Sequence, residues 1–596
     1  MKALNLKKWK LKPELEGILF FAQLIDELLF DYTIDTYKIP ALDSRTLALE
    51  SLRSIEEYEL GFLRQGAIKP IIAELGDCIN KDPVVKEIIK DYFAEFMGSL
   101  CKEQSIPELK TKVMFLINKI QGRYFITTKN LLKETLLSGK EKEKISRLTR
   151  IYITELIHQG YSPQFIYFES DRFFFSGNFP EKIENPEIID EYFNLFILNE
   201  KSYSVVYRAA RIFSVIRDYT PELGIEIHEN VPELNFRGRS ENIESFLSEN
   251  NQCPLYLIVK NVKSMNPFSA REIADKKLFL IESLSRYHVH RKDLIRSNIA
   301  LVYSNDQHEF GIYRQPNPSV LKRPDRIQEK LSSLIKNTVS VINSKNLDSE
   351  SLQRLIRALG GHYNAIKSET TERQLLEFWS AIEVLFPPIT GEVDRITLIS
   401  SSMTCFISLE YPAKLASDLY LSIKNSGYNE ALGILNQIVE GVNPIEKCLA
   451  LFSIKSNEHI REQFYKLFEK HPLLKNRIYF LTTRFSSSDL VLKTLNAHIE
   501  RVSWQIHRIY RARNLIIHSG KSLPFVNILV ENLHSYLDRV LDVLHERIFH
   551  SSYTTSIDQI ILEVKLESES HIRNLKSLGK TDCTPVNFKL ILFGNR

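Results

Sequence analysis

The stretch Arg508-Ile-Tyr-Arg-Ala-Arg-Asn-Leu-Ile-Ile-His-Ser-Gly-Lys521 decides how the last third of the chain is read. Wound at about 100° per residue, it continues a helix in which Val502, Ile506, Ile509, Ile516 and Ile517 share one stripe, the face that should meet a neighbour. Arg513 falls inside that stripe. Asn514, His518, His507 and Arg511 gather along one flank, with Tyr510 between flank and stripe. A buried, unpaired guanidinium costs several kcal/mol, so Arg513 calls for an acidic partner or a polar cleft. Glu383 is the best such partner. It sits at the edge of a second amphipathic segment, Thr371–Phe386, whose apolar stripe is Leu375, Trp379, Ile382 and Phe386.

Working outward, helical spacing predicts further segments over Gln328–Asn343, Ser349–Asn364, Ala413–Ser426, Asn429–Val439, Ser487–His518 and Val526–His550. Pro387-Pro388 and Gly520 supply stop signals. Residues 326–550 are therefore expected to be a helical domain, with 551–596 a tail whose only pattern, Phe588–Phe593, suggests a terminal strand. At the other end, Gly17–Phe30, Ile55–Leu75 and Val84–Leu100 give residues 1–124 a helical texture of low chemical content.

The middle differs. Tyr203–Ala210, Leu223–His228, Leu255–Lys260 and Asn298–Tyr303 have strand character, and Ser269–Tyr287 reads as a helix between the last two. That order predicts at least one crossover unit and an α/β domain over 125–325. Aromatic-rich Phe165–Phe175 reads as two short strands, with Phe173–Phe175 as core rather than a base-stacking platform. No phosphate-binding glycine motif follows any strand. His288 and His290 lack a nearby third ligand and read as a solvated basic turn. The expected fold class is thus multidomain and mainly α.

Composition narrows the class. The 596 residues exceed one ordinary core, and 43% hydrophobic with 26% charged residues is a globular balance. Twenty-one glycines and 22 prolines are few for this length, favouring long helices over a turn-rich β architecture. A net charge of +4 leaves any nucleic-acid surface to be local. The six cysteines are scattered and expected to be reduced, and no Cys/His spacing suggests zinc, so neither metal nor cofactor is expected. Gln23, Asp26 and Glu27 interrupt the most apolar early run; no signal peptide or membrane span is expected, and the location expected is cytoplasmic.

Arg-x4-His occurs twice. The other copy, Arg357-Ala-Leu-Gly-Gly-His362, lacks the asparagine, and its paired glycines are expected to break the helix that would orient it. The copy at 513 adds Asn514, a helical approach and a terminating Gly520. Together with Leu375-Leu-Glu-Phe-Trp-Ser-Ala-Ile-Glu383, about 130 residues earlier, Arg513-Asn-Leu-Ile-Ile-His518 resembles the HEPN superfamily of ribonucleases, in particular its ApeA-like branch. The resemblance covers roughly residues 340–550, with a longer insertion between the two motifs than the family pattern has.

The resemblance implies a HEPN-like bundle that dimerises, placing two motifs in one cleft. It implies metal-independent endoribonuclease action, with the substrate's 2′-hydroxyl attacking the adjacent phosphate. His518 would be general acid or base, Arg513 would stabilise charge on the phosphorane, and Asn514 would orient His518 or contact the phosphate. Glu383 would support the site. Arg508 and Arg511, with His507, Tyr510 and Lys521, would hold RNA, either tRNA or mRNA. Family character further implies an anti-phage, abortive-infection effector answering to a phage-derived trigger, with the N-terminal part as sensor or brake. Two alternatives stand beside this. One is a non-catalytic RNA- or nucleotide-binding protein that partners or inhibits a toxin. The other is a helical scaffold whose Arg513 and His518 lie apart from Glu383 and closed to solvent.

Overall fold

The computed structural model describes residues 4–594 except 30–42, 62, 64, 101, 103–104, 231–240, 249–251, 289–294, 307–308, 316–331, 333–334, 336–338, 340–345, 387–393, 524 and 552. Most of the expected helix Gln328–Asn343, the Pro387-Pro388 stop and most of the 287–292 basic turn lie outside the described residues. The chain divides into two compact units. One holds Met1–Asn5, Leu11–Arg150 and Pro318–Arg596; the other holds Leu6–Lys10 and Ile151–Asn317.

The first unit is helical and corrects the expected boundaries, because residues 1–124 and 326–550 are not separate bodies. Helix α1 (Glu16–Leu29) buries nearly every side chain from Gly17 to Leu28, as a helix apolar all round must. Its Gln23 donates to the Lys470 carbonyl (3.2 Å) and accepts from the Leu473 amide (3.2 Å), and Glu27 pairs with Arg477 in the core. Helices α2 (Ser44–Glu59) and α3 (Ile68–Lys81) follow. Asp43 caps α2 by accepting from the Thr46 amide at 2.8 Å. The 125 boundary moves to 151 because the helix Tyr124–Ser138 belongs here. Tyr124 is fully buried and donates to Asp82 Oδ2 at 2.6 Å, and Gly17 lies so close to the Leu136 carbonyl that a Cβ would meet it at 2.4 Å.

The second unit is built on a five-stranded sheet in the order β2-β3-β1-β4-β5. The strands are β1 (Lys201–Ala209), β2 (Ile225–His228), β3 (Leu255–Ser264), β4 (Arg296–Ser304) and β5 (Phe310–Arg314), and every pairing is antiparallel. The crossover exists, in a form sequence order alone does not specify. Helix α4 (Pro267–His288) carries the chain from β3 to β4, which flank β1 on opposite sides and so run parallel to each other with β1 between them. Central β1 is covered on both faces, so every side chain from Tyr203 to Ala209 is buried, Ser204 and Arg208 included. Tyr203, Val205 and Tyr207 pack with Ala270, Ala274 and Leu278 of α4, while Val206 packs with Tyr256, Ile258 and Leu301.

Phe165–Phe175 is not a pair of strands. It is the helix Pro163–Asp171 running into a π-turn at Arg172–Ser176. Ser162 caps it by accepting from the Phe165 amide at 3.1 Å, and proline follows at the first helical position, a start signal that overrides the strand propensity of its aromatics. Phe173, Phe174 and Phe175 are buried.

Back in the first unit, the C-terminal part contributes α5 (Ser349–Lys367), α6 (Thr371–Leu385), α7 (Arg395–Ser408), α8 (Ser488–Ser519), α9 (Val526–His550) and α10 (Ile557–Leu578) among others. The tail is therefore largely helical. Phe588–Phe593 is a helix that buries Phe588, Ile591 and Leu592; a six-residue apolar run carries no period that separates the two states. Among the described residues no helix is long and apolar enough to cross a membrane.

Candidate functional site

Helix α8 runs for 32 residues and ends at Gly520, whose φ of 65° is the left-handed cap glycine tolerates. Its character changes along its length. Val502, Ile506, Ile509 and Ala512 are buried, whereas from Arg513 onward the side chains are half-buried or exposed, with Ile517 at 48% and His518 open to solvent. The motif thus occupies the emergent end of a helix whose earlier turns are locked in the core.

Arg513 is half-buried and flanked by two partners. Its Nη1 donates to Asn514 Oδ1 at 2.9 Å, and its Nη2 stands 3.8 Å from Glu383 Oε2. Glu383 projects from α6, and its other oxygen lies 3.8 Å from Arg395 Nη1. Trp379, one turn earlier on α6 and fully buried, packs on Tyr510 with ring centroids 5.6 Å apart. That contact fixes α6 against α8 and so places Glu383 opposite Arg513. At 3.8 Å the pair is an ion pair without a close hydrogen bond, so the guanidinium keeps donors for an anion. Asn514 is engaged by Arg513 rather than by His518.

The basic flank differs from expectation. Arg508 is buried and paired with Glu74 and with Glu50 (3.3 Å), and Arg511 reaches Glu50 at 2.7 Å. Both arginines face α2 and α3 inside the unit, so neither is placed to gather RNA backbone. Burial works to raise the Glu50 carboxyl, but Arg511 and Arg508 outweigh it and hold its pKa below the ordinary value. His507 is no cation either: burial, helped by Arg511 and opposed by Asp394, pushes its pKa down to about 4. Tyr510 is half-buried against Trp379. Of the five expected RNA contacts, Lys521 alone is exposed. No local pattern signals this pairing, because Glu50 and Glu74 lie more than 400 positions away and look like any solvated acids.

The weaker Arg-x4-His copy also differs. Helix α5 runs unbroken through Gly360 and Gly361. Gly361 is there because α6 is close: a Cβ would meet the Ala381 Cβ at 3.0 Å and the Glu377 carbonyl at 3.3 Å. His362 then points to α9, where its Nε2 lies 2.9 Å from Asp538 Oδ1 and its ring 5.1 Å from that of His534. Sequence spacing missed this group because its members come from helices about 170 positions apart.

A scan against protein-family models, a search of curated proteins and a search of solved structures each return no match.

Proposed function

We propose that the chain is an endoribonuclease of HEPN type, cleaving RNA without a metal at the emergent end of α8. The observation that carries this is the placement of Arg513, held by Asn514 and Glu383 at a half-open position, with exposed His518 little more than one helical turn beyond. A planar guanidinium with spare donors suits the equatorial oxygens of a phosphorane. An imidazole open to solvent is placed to act as general base toward the 2′-hydroxyl and as general acid toward the departing 5′-oxygen. The scaffold alternative places Arg513 and His518 apart from Glu383 and closed to solvent; the 3.8 Å approach of Arg513 to Glu383 and the exposure of His518 weigh against it.

With Arg508, Arg511 and His507 withdrawn, RNA is gripped through Arg513 and Lys521, and one chain offers few cations. Two chains would double them, and half-exposed Ile517, one position before His518, gives an apolar contact for such a pairing. The buried Glu50–Arg508–Arg511–Glu74 network ties the N-terminal helices to the catalytic helix, a connection suited to the sensor or brake role of a cytoplasmic anti-phage effector. Incubating the purified protein with total RNA in chelator and sequencing new 5′-hydroxyl ends tests the reading: discrete ends are expected, and intact RNA at every protein concentration rules it out.

A further inference from the structure

The group at the junction of α5, α6 and α9 is independent of the proposed cleavage. His534 and Asp538 stand four apart on α9, on one face, and His362 faces them from α5. The His362 Nε2–Asp538 Oδ1 distance is 2.9 Å, the His534 Nε2–Asp538 Oδ1 distance is 3.6 Å, and one ligating atom of each residue lies within 4.8 Å of the others. Two atoms bound to one ion at about 2.1 Å and a tetrahedral angle lie roughly 3.4 Å apart. Two of the separations bracket that value, and the third, within 4.8 Å, closes to it by a shift of at most about 1.4 Å divided between the two imidazoles.

The surroundings suit a metal. Phe378 of α6 stacks on the His534 ring at 4.9 Å and 18° and meets His362 edge-on at 5.5 Å. It walls one side with apolar surface and holds both rings in place. Side-chain exposures of 22% for His362, 10% for His534 and 12% for Asp538 leave the opposite side partly open, enough for an ion to enter and a water to complete its shell. Two imidazoles and one carboxylate also carry the right charge, leaving a divalent ion at +1 rather than overneutralised.

We propose that His362, His534 and Asp538 form a binding site for one divalent transition-metal ion, zinc foremost, with an open position for water. Nitrogen-rich ligation favours zinc or its neighbours over magnesium and calcium, which take oxygen sets.

The test uses tag-free, metal-stripped full-length protein titrated with cobalt(II), then zinc. The expected result is one cobalt per chain with visible ligand-field absorption of tetrahedral or five-coordinate intensity, bleached by one equivalent of zinc, and no response to magnesium. His362→Gln, at the most exposed ligand, is expected to weaken cobalt binding roughly 100-fold with unchanged far-ultraviolet circular dichroism. X-ray absorption of the wild-type zinc form, needing no variant, should show two imidazole ligands. Absence of the cobalt bands, or a zinc shell without imidazole, overturns the proposal and leaves the group a hydrogen-bonded polar bridge. Undiminished binding by folded His362→Gln overturns it as well. None of these readouts depends on RNA cleavage.

Discussion

Glu383 Oε2 lies 3.8 Å from Arg513 Nη2, joining α6 to the emergent end of α8. The carboxylate is shared with Arg395 at the same distance and is not needed to hold the bundle, since buried Trp379 and Tyr510 already fix the two helices. Its effect is on where the Arg513 guanidinium points. Glu383→Gln is therefore expected to change unfolding free energy by less than about 1 kcal/mol, as loose, partly exposed pairs do. It should slow RNA cleavage by roughly 10- to 100-fold through misplacement of Arg513. Thermal unfolding and single-turnover cleavage on the same preparation separate the two effects; a large loss of stability would recast Glu383 as a structural residue.

Glu50 behaves in the opposite way. It is buried between Arg508 and Arg511, and its removal takes away the 2.7 Å partner of Arg511 and leaves Arg508 to Glu74. Glu50→Ala is expected to destabilise the helical unit by about 3–5 kcal/mol. Chemical denaturation measures this directly. Full stability with weakened RNA binding would instead return the two arginines to an RNA-facing role.

Neighbouring glycines on α5 should respond with opposite signs. Gly360 has open space where a Cβ would go, so Gly360→Ala should stabilise by up to about 1 kcal/mol through helix propensity. Gly361 has Ala381 and the Glu377 carbonyl in the way, so Gly361→Ala should destabilise by about 1–3 kcal/mol through overpacking. Thermal unfolding of the pair checks both; equal effects would mean α5 and α6 are not in close contact.

Acid should weaken the fold through its buried histidines. Burial, with Arg477 beside it, takes His471 down to about 3, and burial takes His498, stacked on Tyr411, well below its ordinary 6.5. Each stays neutral in the folded state while its unfolded counterpart takes a proton as pH drops through 6.5. The stabilisation is complete above that value and is lost progressively below it, by about 2 kcal/mol at pH 5 for His471, with His498 adding a loss of the same sign. The unfolding midpoint should fall between pH 7 and 5, and His498→Phe, which keeps the stacking area, should fall less steeply. An equal slope for variant and wild type would place the sensitivity elsewhere.

The helices were legible wherever caps and spacing agreed: Val526–His550 is found at the expected bounds, and Thr371–Leu385 within a residue. Phe165–Phe175 was not, because a Ser-Pro cap competes there with aromatic strand propensity. Nor were the domain limits, which depend on contacts such as Gln23 with Lys470 and Leu473 that no local pattern records. In the site, the Glu383–Arg513 proximity could be reasoned from the cost of a buried guanidinium. The fates of Arg508 and Arg511 could not, because helical phase reports which face a residue takes and not which distant acid meets it.

The most direct test pairs wild-type and His518→Ala protein, in chelator, on one RNA and on the same RNA with a single 2′-deoxy sugar at the cleavage site. The expected result is cleavage of the all-ribo strand alone, leaving a 2′,3′-cyclic phosphate and a 5′-hydroxyl. The variant should be slower by about 100- to 10,000-fold, with an unchanged unfolding midpoint because His518 is exposed. Equal rates for variant and wild type, or cleavage at the 2′-deoxy position, would contradict a ribonuclease built on Arg513, Asn514 and His518.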